Sequence, residues 1–103
     1  MAKIEFLFWE ECPSHPEALK RLREVMDETG VHEPIEQIDV RTDEEAERLR
    51  FPGSPTIRIG GQDIDPLGAA QMGAALTCRI YRLEDGRISP LPSKEMIRRA
   101  LGA

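Results

Sequence analysis

Cys12 and Cys78 are the two cysteines of the chain, and only the first stands where position alone suggests reactivity. Cys12 opens the run Cys12-Pro13-Ser14-His15, behind an apolar stretch and ahead of a helical pattern. A thiol at a helix entrance meets unpaired amide groups and the positive end of the helix dipole. Both favour the nucleophilic thiolate and lower the pKa below its free value of about 8.5. His15 follows about one helical turn later and can add positive charge or donate a proton. Glu10 and Glu11 act in the opposite sense, because nearby carboxylates disfavour a further anion.

Two other places bear on that thiol. In Ser54-Pro55-Thr56 a proline stands after a turn and directly before a strand pattern, a suitable place for a cis peptide bond, although only about 5–6% of X–Pro bonds are cis. Cys78 has two readings. It is either a core residue of a strand or a second thiol that resolves a mixed disulfide on Cys12, which requires Cα atoms within about 7 Å. Cys12, His15 and Cys78 would also offer three ligands to a soft ion such as zinc, copper(I) or mercury(II), whereas a structural zinc site ordinarily takes four.

The elements that must position these residues are legible in outline. Residues 4–9 are apolar apart from Glu5, as in a strand buried on both faces. Pro13, Pro16 and a Ser14/Glu17 capping box mark a helix entrance, and Ala18, Leu22, Val25 and Met26 repeat at helical spacing up to Gly30. Residues 34–40 alternate as a second strand, and Thr42 with Glu45 caps a short acidic helix carrying Ala46 and Leu49. After the turn at 51–55, residues 56–59 form a strand. Gly60-Gly61 turns the chain, and residues 62–65 return as another strand. Residues 66–76 read as a short helix or an ordered loop, and residues 77–83 as a strand entering a hairpin at Glu84-Asp85-Gly86. Ser93 caps a last helix with Met96, Ile97, Ala100 and Leu101 on one stripe.

Length and composition bound the rest. At 103 residues the chain makes one domain, 1–103, with a core large enough to need no staple. The net charge of -5, without a basic stripe, argues against nucleic acid as a partner. No apolar run approaches the roughly 20 residues of a membrane span, and the first residues do not read as a signal peptide. A reducing cytoplasm is the expected setting, where both cysteines are working or inert thiols.

The strand, the Cys-Pro helix entrance and the Xaa-Pro-Thr ahead of a glycine-turn hairpin together resemble the thioredoxin and glutaredoxin superfamily. The residues that carry the resemblance are Trp9, Cys12-Pro13-Ser14-His15, Ser54-Pro55-Thr56-Ile57 and Gly60-Gly61-Gln62-Asp63-Ile64, across about residues 3–66 and with the last helix in keeping. The resemblance implies an α/β thioredoxin-like fold, a central mixed sheet of about four to five strands flanked by helices. It further implies a cis Pro55 packed against Cys12 and Cys12 attacking a protein or small-molecule disulfide without a cofactor. The surface that meets the substrate would comprise Trp9, Pro13, Ser14, Ser54 and Thr56. Two positions depart from the pattern. His15 replaces the family's second cysteine, which rules out a dithiol cycle within the motif and leaves an external thiol or Cys78 to resolve it. Asp65-Pro66 replaces the glycine pair beside which glutathione binds. A thioredoxin fold kept only as a binding module, its thiol idle, is the competing expectation.

Overall fold

The structure is a computed structural model that describes residues 3–102. Its organising element is β1 (Ile4–Phe8), whose successive side chains reach opposite faces of a sheet. Phe6 enters a cluster with Ala18, Leu22, Val25 and Met26 of α1 (His15–Thr29). Leu7 enters a second cluster with Val40, Phe51 and Ala46 of α2 (Asp43–Leu49). Full burial of one such side chain contributes about 1.5–3 kcal/mol. The apolar run is thus explained by helices on both faces.

β1 pairs in parallel with β2 (Ile35–Asp39), from Ile4 opposite Ile35 to Phe8 opposite Asp39. On its other side it pairs antiparallel with β3 (Thr56–Ile59), Leu7 facing Thr56. β4 (Gln62–Asp63) closes a mixed four-stranded sheet in the order β2-β1-β3-β4. The molecule is therefore α/β, with a βαβ unit at its start. Because β1 and β3 run in opposite directions, the end of β1 and the loop entering β3 meet at one end of the sheet. Cys12 and Pro55 belong to those two segments.

The rest of the chain is α3 (Pro66–Gln71), a two-stranded ribbon of β5 (Tyr81–Arg82) and β6 (Ile88–Ser89), and α4 (Lys94–Ala100). Ile97 of α4 joins the cluster on the α1 side. No helix among the described residues is long and apolar enough to cross a membrane.

Several boundaries differ from expectation for local reasons. α1 begins at His15, so Cys12 lies in the preceding turn with its N–H donated to Trp9 O at 2.9 Å. Ser14 does occupy the N-cap, but it sits in the right-handed helical region and its side chain makes no capping bond; Glu17 pairs with Arg21 instead. At α2 the expected cap is present, Thr42 Oγ1 accepting from the Glu45 N–H at 3.1 Å. β4 stops at Asp63, since the Asp63 carboxylate accepts the Asp65 N–H and Asp65 then caps α3. The strand expected over residues 77–83 is reduced to Tyr81–Arg82 and an isolated bridge at Cys78.

The two serine/threonine caps should therefore differ in energy. Thr42→Ala is expected to cost about 1 kcal/mol, and Ser14→Ala only a few tenths at most. Urea unfolding of both variants checks this, and equal losses would contradict the capping geometry.

Candidate functional site: a buried thiol beside a cis-proline loop

Residues 51–55, which lead into β3, form a connection that is buried throughout, which is unusual because backbone polar groups in a buried loop need partners. The partners come from a distant part of the chain. The Ala75 N–H donates to Phe51 O at 3.1 Å, the Ser54 N–H to Thr77 O at 2.8 Å, and the Arg79 N–H to Ser54 O at 2.8 Å. The Tyr81 hydroxyl donates to Pro55 O, and Thr56 Oγ1 to Gly53 O at 2.6 Å. Ser54 Oγ accepts the Trp9 N–H at 3.0 Å, tying the loop to the end of β1. The Ser54–Pro55 peptide bond is cis.

Cys12 meets this loop directly. Its Sγ–H donates to Ser54 O at 3.3 Å, and the residue is only 1% exposed. The same carbonyl thus receives the Cys12 thiol and the amide that follows Cys78. Cys78 itself bridges to Ser54 and is exposed, so it is not a strand residue of the core. Partial desolvation pushes its thiol above the ordinary range. The neighbouring Cys12 sulfur pushes it further, by a side-chain hydrogen bond and by opposing a second negative charge. The chain thereby brings together two thiols that are far apart in sequence.

The other expected site residues are distributed unevenly around this pair. Trp9, Ser54, Pro55 and Thr56 are tied into the loop as described. Pro13 is exposed in the turn, and Ser14 is half-buried at the helix entrance. The His15 ring stacks on Phe8 with centroids 4.8 Å apart. No hydrogen bond joins His15 to Cys12 among the described residues, so its expected role as proton donor has no such contact behind it. No group of three or more His, Cys, Asp or Glu placed to hold a metal ion occurs among the described residues.

Arg79 and Asp63 were not expected. The Arg79 guanidinium, with no exposed side-chain surface, donates to both Asp63 oxygens at 2.6 and 2.7 Å and to Thr56 Oγ1 at 3.2 Å, and lies 4.4 Å from the Tyr81 ring centre. Burial alone would lower its pKa, but the Asp63 hydrogen bond and the charges around it raise it overall. Tyr81, fully buried, is held protonated well above the ordinary tyrosine range. A Cβ on Gly53 (φ +123°) would stand 2.9 Å from Arg79 Cα, so the loop and the 75–79 segment fit only with glycine there. The alternation of Arg79 and Tyr81 inward with Cys78 and Ile80 outward was the sequence signal, and it runs against hydropathy.

No family model, curated protein or solved structure matches the chain.

Two outcomes follow from this geometry. Asp63→Asn leaves a buried cation without its charge partner and is expected to cost about 3–5 kcal/mol in urea unfolding; a loss below 1 kcal/mol would show that the ion pair is not a clasp. Cys12→Ala removes two of the three influences that raise Cys78. The pH midpoint of iodoacetamide alkylation at Cys78 should then move down toward the ordinary thiol value, desolvation alone remaining. An unchanged midpoint would mean that the two sulfurs do not interact.

Proposed function

We propose that the chain is a thioredoxin-like thiol–disulfide exchange protein whose working dithiol is the non-adjacent pair Cys12 and Cys78. The observation that carries this reading is the convergence of both residues on Ser54: Cys12 donates to its carbonyl, and Cys78 is bridged to its backbone. The cis bond at Pro55 beside Cys12, and the mixed sheet with helices on both faces, support the resemblance read from the sequence.

In the exchange, a thiolate of the pair attacks one sulfur of a disulfide RS–SR. A protein–S–SR bond forms, the RS–SR bond breaks, and RS⁻ leaves and takes up a proton. The second thiolate then attacks the protein sulfur of the mixed disulfide, closes Cys12–Cys78 and releases the other RS⁻. The protein dithiol loses two electrons and the disulfide gains them. A thiol-rich, reducing compartment such as the cytoplasm would return the pair to its reduced form.

Burial of Cys12 favours a second reading, a binding module with an idle thiol. One experiment separates the two. Reduced protein is treated with bis(2-hydroxyethyl) disulfide and followed by mass spectrometry. Exchange predicts a wild-type product lighter by about 2 Da with a Cys12–Cys78 link, and stable mixed adducts in Cys12→Ser and Cys78→Ser. A wild type that retains adducts or stays fully reduced is the idle-thiol result.

A further inference from the structure

The two sulfurs differ in what they can meet. Cys12 is 1% exposed and lies against Ser54, which is itself fully buried. Cys78 is exposed. Attack on a disulfide requires a thiolate that can approach along the S–S axis of its target. The raised pKa of Cys78 thins its thiolate at neutral pH, but a sulfur without access cannot react at all until the structure opens.

The cover over Cys12 is also firmly held. The segment around Cys78 is fixed to the loop by the two 2.8 Å bonds between Ser54 and residues 77 and 79. Arg79, the next residue, is clasped by both oxygens of Asp63. Gly53 and the Arg79 backbone are in such close contact that no side chain fits between them. The Ser54 backbone against Cys12 is thus held from several sides, whereas Cys78 is already exposed.

Resting on the exchange reading above, we infer that Cys78 is the thiol that receives the external disulfide and that Cys12 is the internal resolving thiol, the reverse of the order expected from the helix entrance. Cys78 sulfur forms the mixed disulfide with one half of a low-molecular-weight disulfide and expels the other half as a thiolate. Cys12 then attacks Cys78 sulfur from inside and expels the second half. In the return direction an external thiolate attacks Cys78 sulfur of the closed pair and releases Cys12, by the same path.

The test uses reduced full-length protein and bis(2-hydroxyethyl) disulfide, with acid quenching at early times and tryptic mapping of the adduct. In the wild type the first adduct is expected on the Cys78 peptide, followed by a linked Cys12–Cys78 peptide pair. Cys12→Ser should form the Cys78 adduct at the wild-type rate or faster and keep it. Cys78→Ser should label Cys12 at least about tenfold more slowly in the folded state and lose that protection in urea, because the buried thiol reacts only through opening. A first wild-type adduct on Cys12, or Cys78→Ser reacting as fast as wild type, overturns the assignment. A Cys78 adduct that forms first but never closes onto Cys12 upholds Cys78 as the receiving thiol, but overturns Cys12 as its resolving thiol and removes the exchange reading with it.

Discussion

A buried loop whose backbone carbonyls must all find partners governs this structure. Each carbonyl left without a partner inside the protein would cost about 1–3 kcal/mol, and residues 51–55 present several. Neither β1 nor β3 can satisfy them, since the loop lies beyond the paired stretch of both. The chain answers by bringing residues 75–81 back across the loop, with amides for Phe51 and Ser54 and a tyrosine hydroxyl for Pro55. The placement of Cys78, the inward turn of Arg79 and the need for glycine at position 53 all follow from that return crossing.

The first half of the molecule was legible in the sequence because its signals are local. The apolar run of β1, the helical stripe of α1 and the glycine turn after β3 each report their own conformation. The two expected features, the cysteine turn and the proline loop, also lie together at one end of the sheet, Cys12 bonded to the carbonyl of the residue before Pro55. The second half was less legible for a definite reason. Hydropathy points Ile80 inward and Arg79 outward, whereas Arg79 has a buried carboxylate, a hydroxyl and an aromatic face waiting for it, and Ile80 is 55% exposed. The partner set that reverses the rule spans residues 56, 63 and 81, which no local window contains. The unused Ser14 cap is a smaller case of the same kind: the residue type fits the motif, but the backbone there already lies in the helical region.

Charge is used differently on the surface and at the site. On the surface, Lys94 and Arg98 of α4 reach Glu24 and Glu28 of α1, and each such exposed pair contributes little, with the docking of these helices carried by Ile97 and its apolar neighbours. Near the thiols the pair is desolvated and bidentate, and its value lies in fixing one arrangement. Arg79 sits next to Cys78 in the chain, so an ion pair that never touches sulfur determines where the sulfur stands.

The Arg79–Asp63 contact also changes the topology of the chain. It joins residues 16 positions apart, and with the Asp63–Asp65 turn it makes residues 64–78 a lobe pinned at its base. Residues 66–74 of the lobe, α3 among them, make no hydrogen bond to the sheet or to the cis-proline loop among the described residues. The cost of closing such a stretch grows only as the logarithm of its length, about 0.6 kcal/mol per doubling. That stretch, which ends short of Ala75, is therefore where this chain can gain or lose residues while both thiols keep their positions.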